Sequence, residues 1–108
     1  MDGPSSFAEF WPHYLRAHRH PTSRALHYVG TAGSLAALVT AISTENPWWI
    51  AFGAVFAYTC AWAGHFFVEG NMPLAFRRPL WSLLADYRMF ILALTGKLGP
   101  HLERAGRA

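Results

Sequence analysis

Three histidines and a glutamate in this chain are spaced so that a helical hairpin and a chain reversal would gather them around one metal ion. His27 lies 18 residues before Glu45, and His65 lies 19 residues after Asn46. If Thr44-Glu45-Asn46 turns the chain back, two antiparallel helices rising roughly 1.5 Å per residue carry both imidazoles to nearly the same depth. Glu69 follows His65 at i+4 and so faces the same way. His18 precedes Pro21, where a reversal folds it over the start of the next helix. Imidazole suits iron or zinc, and two or three histidines with a carboxylate and open positions suit non-haem Fe(II). Each residue also has a plainer reading. A histidine near the end of a membrane helix is commonly an interfacial polar tip. Glu69 can pair with an arginine, Asn71 with Pro73 can form only a turn, and Thr31 can bond back to its own helix. The coincidence of depth is what favours the group over its members.

The elements that must position these residues are all helical. Apolar residues Phe7, Phe10, Trp11, Tyr14 and Leu15 recur at helical spacing and predict an amphipathic helix over about 5–20. Thr22 or Ser23 can cap a second helix to about residue 43. Pro47 is well placed at the first turn of a third, to about 68. A fourth is expected over about 79–98. The second and third are each near the roughly 20 residues that cross a bilayer core. Gly30, Gly33 and Ala37 form a small-residue seam suited to close helix packing. His13 and His20 are expected at the surface, and His101 in a frayed tail.

Composition points the same way. The 108 residues are 53% hydrophobic and 14% charged, against roughly 25% charged in soluble domains. All nine Lys and Arg lie outside Ala25–Met72, and the hairpin tip carries Glu45 alone. The positive-inside rule then puts both termini in the cytoplasm. The net charge of +3 flanks apolar segments and builds no reading helix, which argues for a membrane-lipid partner and against nucleic acid. The single cysteine, Cys60, excludes a disulfide framework, and the Met1-Asp2-Gly3-Pro4 start lacks the order of a signal peptide. The expected fold is a single-domain, all-α integral-membrane bundle over 1–108, with a central antiparallel transmembrane hairpin flanked by amphipathic helices.

At these residues the chain resembles a known family. Phe10-Trp11-Pro12-His13-Tyr14-Leu15-Arg16-Ala17-His18, followed by Pro21, Arg24 and Leu26-His27-Tyr28-Val29-Gly30-Thr31, is similar to its N-terminal signature. Trp62-Ala63-Gly64-His65-Phe66-Phe67-Val68-Glu69-Gly70-Asn71-Met72-Pro73 is similar to the second. Asp86-Tyr87-Arg88-Met89 and Leu94-Thr95-Gly96-Lys97 resemble its short bacterial branch. This is the membrane family of the fungal 2-hydroxy-palmitic acid dioxygenase. Ser23, Gly70 and Met72 depart from the usual pattern. The resemblance implies an Fe(II)-dependent dioxygenase that shortens 2-hydroxy fatty acids by one carbon, using O2. It carries over His18, His27 and His65 as ligands, with Glu69 as a matching acidic position.

Both lines together assign His18, His27, His65 and Glu69 to the metal, and Arg24, Arg88 and Asn71 to the substrate. Asp86 and Thr31 are expected to support the ligands from behind. The expected location is the bacterial inner membrane, or the endoplasmic reticulum in a eukaryote, and a homo-oligomer is compatible with it. Two other classes use the same residues: a non-catalytic lipid-binding membrane protein, and a Zn(2+)-dependent membrane hydrolase.

Overall fold

The structure, a computed structural model, describes residues 4–107; the Met1-Asp2-Gly3 start lies outside them. Among the described residues there are helices and turns and no strand. In chain order the helices are α1 (Phe7–Arg16), α2 (Pro21–Thr44), α3 (Trp48–Ala63), α4 (Pro79–Leu94) and α5 (Leu98–Arg107). A π-helical turn, Gly64–Glu69, continues α3, and a 3-10 turn, Leu74–Phe76, precedes α4.

The expected central hairpin is present. Glu45 takes a left-handed conformation (φ 55°) at the end of α2, and the Asn46 amide donates to the Ala41 carbonyl at 3.0 Å. Asn46 Oδ1 then accepts from the Trp48 amide at 3.1 Å, so one residue closes α2 and starts α3. Pro21 sits in the first turn of α2, where a missing N–H costs nothing.

Close packing along the hairpin follows from the small residues on both helices. A Cβ on Gly30 would lie 3.1 Å from the Ala57 backbone, and one on Gly53 would lie 2.7 Å from the Ala37 Cβ. Gly33 of the seam read on α2 thus makes room for the Phe56 ring, while Gly30 and Ala37 meet Ala57 and Gly53 on α3. Backbone has no room to yield there. We expect Gly53→Ala to destabilise the hairpin by about 1–3 kcal/mol, as overpacking does. Thermal unfolding in detergent would show it as a lowered midpoint.

α2 alone, and α3 with its π-turn, are long and apolar enough to cross a membrane: Pro21–Thr44 and Trp48–Glu69 each contain an 18-residue window of mean hydropathy 1.4. Only 28% and 17% of the apolar windows are buried, whereas a soluble core helix would be mostly enclosed. Their outward faces carry Val39, Ile42, Phe52, Val55 and Phe67. The burial of large side chains happens elsewhere. Phe10, Trp11, Tyr14 and Leu15 of α1 pack with Ala85 and Met89 of α4 and with Leu98 and Ala105 of α5.

Four boundaries differ from the sequence reading, one of them the fourth helix, which ends at Leu94 and not near residue 98. The first helix ends at Arg16, because the chain must turn before Pro21 to bring His18 over α2. The stretch after Ala63 widens into π geometry. The C-terminal tail forms α5, held to α1 by apolar contact, by Trp11 Nε1 donating to His101 Nδ1 at 3.1 Å and by Arg16 donating to the Ala105 carbonyl at 3.2 Å. Leu98, Leu102 and Ala105 share one face of it. That signal is short, and it stabilises a helix only where an apolar partner is waiting.

Candidate metal centre

His18 stands just beyond α1, His27 in the second turn of α2, and His65 in the π-turn. Their ring nitrogens offer one ligand atom each, all within 4.8 Å of one another. The rings are 1%, 4% and 3% exposed, so water does not solvate the group. They meet edge to face, with His18 at 85° to His27 and 73° to His65, and His27 at 90° to His65. Single-turn π-bulges recur at functional sites, and this one carries His65 to its partners. Gly64, at its start, lets α2 come close: a Cβ there would lie 3.0 Å from Ser23 Oγ.

Hydrogen bonds on the far side of each ring fix its tautomer. His18 Nδ1 lies 2.7 Å from the Tyr14 carbonyl and His27 Nδ1 lies 2.9 Å from the Ser23 carbonyl. A carbonyl only accepts, so both Nδ1 atoms carry the proton and donate. For His65 the partner is Asn71 Oδ1 at 2.7 Å. The amide orientation is set because Asn71 Nδ2 donates to the Ala17 carbonyl at 3.0 Å, so His65 Nδ1 donates as well. All three Nε2 atoms are left with lone pairs. His18 Nε2 and His27 Nε2 are 3.0 Å apart, a contact between two acceptors that repels unless a cation lies between them. Neutral imidazoles oriented from behind by carbonyl groups are the usual form of a histidine metal site, and the donor set fits a borderline divalent cation.

The histidines line a cavity of about 20 Å³ with Tyr14, Tyr58, Trp62, Ser82 and Asp86. That volume holds one water-sized occupant. Tyr14 donates its hydroxyl proton to Asp86 Oδ1. Ser82 Oγ is buried without a partner, in a residue only 5% exposed. A buried hydroxyl left unpaired costs about 1–3 kcal/mol, a cost that a polar ligand in the cavity would remove.

The expected site residues divide. His18, His27 and His65 come together. Glu69 does not join them: its side chain, 4% exposed, accepts from the His20 amide at 2.9 Å and lies 4.0 Å from the His20 ring. The π-turn directs it to the start of α2, where a carboxylate suits the positive end of the helix dipole. We therefore expect Glu69→Gln to retain bound metal in elemental analysis while losing about 1 kcal/mol of stability.

Asn71, assigned above to the substrate, is taken up by His65 and Ala17. Arg24 donates to the His18 and Arg19 carbonyls at 2.9 and 2.8 Å, clamping the reversal between α1 and α2. Arg88 stands over the Trp11 ring at 4.5 Å. Neither arginine lines the histidine cavity. Asp86 supports Tyr14, whose carbonyl in turn holds His18. Thr31, 6% exposed, lines a separate groove. His13 and His20 are exposed, as expected. Tyr14 and Ser82 read in sequence as ordinary core or helix residues; no pattern of spacing distinguishes them.

Burial, then the neighbouring His27 ring, hold His18 well below the usual histidine range, against the pull of the Tyr14 carbonyl. Burial raises Asp86 to about 6, with the Tyr14 hydroxyl working against it. The two act oppositely on stability. As pH falls below the unfolded histidine value of about 6.5, the unfolded state takes up a proton that folded His18 refuses, so stability is lost. Folded Asp86 takes up a proton near 6, before the unfolded carboxyl does, so it restores stability between about 6 and 4. Metal-free Asp86→Asn should therefore lose stability more steeply than wild type between pH 7 and 5 in denaturant titrations. An equal slope would show that Asp86 titrates as a free carboxyl.

A family model described as 2-hydroxy-palmitic acid dioxygenase Mpo1-like matches residues 4–98. The match spans both histidine segments and ends where α5 begins. No curated protein matches, and no solved structure does.

Proposed function

The chain belongs to the 2-hydroxy-palmitic acid dioxygenase Mpo1-like family, and from that premise we propose that it is an Fe(II)-dependent membrane dioxygenase shortening 2-hydroxy fatty acids by one carbon. The observation that carries the reading is the convergence of three Nε2 lone pairs whose opposite nitrogens are all committed as donors. A 2-hydroxy acid offers a hydroxyl and a carboxylate on adjacent carbons, a bidentate chelator. Three protein nitrogens leave room for it and for O2.

Iron held by His18, His27 and His65 would supply activation of O2 beside the bond between C1 and C2. The protein's own groups do the remaining work. Carbonyls of Tyr14 and Ser23 and the Asn71 amide hold the imidazoles neutral and aimed. Ser82 Oγ donates to the substrate's polar end, which satisfies its own buried hydroxyl. Asp86, with a pKa near neutrality and a carboxylate anchored by Tyr14, receives the proton of the 2-hydroxyl. The reaction balances without an outside reductant: a 2-hydroxy acid and O2 give the shortened acid, carbon dioxide and water.

The setting is a membrane. Two long apolar helices with exposed apolar faces need lipid around them, and the arginines lie at the histidine end of the hairpin. Both termini then lie in the cytoplasm, with Glu45 on the far side. The test is oxygen uptake by anaerobically purified, Fe(II)-loaded protein, given 2-hydroxypalmitate beside palmitate. Consumption of O2 with the hydroxy acid alone, matched by a C15 product, is the expected result. Retention of zinc with no uptake would overturn the reading and favour a hydrolase.

A further inference from the structure

Beside the histidine cavity lies a second, larger space. A groove of about 310 Å³ runs between α2, α3 and α4, lined by Thr31, Ser34 and Leu38 on α2, Ile50, Ala54 and Ala57 on α3, and Leu83 and Tyr87 on α4. Its upper wall is Tyr58, Ala61 and Asp86, and the same three residues wall the histidine cavity. The two spaces therefore adjoin. The smaller is of the size of a single ion or water, and the larger is of the size that holds a small organic ligand.

The register of both helices gives the groove a direction. Thr31 is one turn beyond His27, and Ala61 is one turn before His65. From Ala61 to Ile50 the groove descends 11 residues of helix, roughly 16 Å at 1.5 Å per residue. Below Tyr58 and Asp86 its walls are apolar except for the hydroxyls of Thr31, Ser34 and Tyr87. Ser34 is already satisfied, donating to the Thr31 carbonyl at 2.8 Å and lying 3.3 Å from the Tyr87 hydroxyl. No lysine or arginine lines it. At its head the unpartnered Ser82 hydroxyl and the Asp86 carboxyl face the histidine cavity. The polar end of an occupant is thus called for at the top and a hydrocarbon below.

Resting on the dioxygenase reading above, we propose that this groove is the acyl site: the substrate's carbon chain runs from the histidines past Ala61 and Ala54 toward the hairpin tip, and Leu38 and Ile50 limit its length. The groove is open along one side, with Leu38, Ile50, Tyr58 and Leu83 42%, 52%, 42% and 46% exposed, so the chain lies in a channel on the bundle and is not free in the leaflet. An occupant held at its head by the histidine cavity is measured against a floor at a fixed depth, so chain length is selected by the protein.

Photolabelling tests this without relying on turnover. Detergent-purified full-length protein is incubated with 2-hydroxy acids of 8, 12 and 16 carbons bearing a diazirine at the last carbon, irradiated, and mapped by mass spectrometry. The 16-carbon probe should label Leu38, Ile50 or Ala54, and the 8-carbon probe should label Ala61, Leu83 or Tyr58. Ala54→Trp fills the groove at an exposed position that tolerates bulk. It should cut labelling of Leu38 and Ile50 at least tenfold and leave 8-carbon labelling and metal content at wild-type levels. Leu38→Trp, at the far end, should affect only the 16-carbon probe. Labelling concentrated on the outer faces, at Val39, Phe52 or Val55, or unchanged by both variants, would overturn the proposal. Outer labelling with iron binding and oxygen uptake intact sinks the groove and leaves the dioxygenase reading standing. Groove labelling with no oxygen uptake does the reverse.

Discussion

Replacing His27 with leucine will abolish binding of the metal proposed above, and in the absence of metal will cost the protein no stability. The first half follows from ligand count. If a site worth roughly 10–16 kcal/mol is shared among about four ligands, losing one removes roughly 3–4 kcal/mol, which is a weakening of about 10²–10³. Elemental analysis after dialysis would read about one metal ion per wild-type chain and none in the variant. The second half follows from the lone pairs. In the metal-free protein His18 Nε2 and His27 Nε2 face each other at 3.0 Å with no proton to share. Leucine replaces a repulsive, unsolvated contact with an apolar one of similar size. A polar cluster kept only for structure predicts the opposite. There the histidines stabilise the bundle through their hydrogen bonds, and breaking them destabilises it by about 1–3 kcal/mol with metal or without. Thermal unfolding in chelator separates the two: a variant midpoint at or above that of metal-free wild type supports the metal site, and a clear fall refutes it.

Asn71→Leu will weaken metal binding by about 10–100-fold, the usual cost of removing a group that orients a ligating histidine. Asn71 has two partners, and the effect comes from having both. Its Nδ2 holds the Ala17 carbonyl at 3.0 Å and its Oδ1 holds His65 Nδ1 at 2.7 Å, so it ties the ring from the π-turn to the segment that carries His18. Leucine frees the His65 ring to rotate and to take its other tautomer. Asn71→Asp keeps the acceptor and loses the donor to Ala17, so it should recover only part of the affinity. Competition with a metal-sensitive dye measures both variants. If Asn71→Leu binds metal like wild type, His65 is positioned by packing alone and the hydrogen-bond argument fails.

The hairpin, its short connection and the coincident depth of His27 and His65 were legible in the sequence, because they depend on counting residues along regular helices. Apolar length set the two long helices, and Glu45-Asn46 marked the turn. His18 was legible for a similar reason: Pro21 forces a break close enough to fold it back. The family resemblance rested on those residues and is borne out by the match over 4–98.

What a helix count could not decide is where each side chain finds its partner once the helices meet. Glu69 at i+4 from His65 looked like a ligand under α-helical geometry, but the segment is π-helical and the carboxylate reaches the start of α2. Periodicity assumes one kind of helix and cannot report a local change of pitch. Asn71 looked like a turn residue or a substrate contact. Only tertiary structure brings Ala17 and His65 to its two ends. Arg24 and Arg88 carried the charge expected at a carboxylate, yet a backbone reversal and a tryptophan face claim them. Tyr14, Ser82 and Asp86 come from α1 and α4, whose approach to the hairpin is set by core packing that no local pattern encodes. Spacing along the chain fixed which residues share a depth, because helix rise is constant. Orientation, tautomer and cavity were decided by contacts between segments far apart in sequence, because each is a property of the pair and not of either residue.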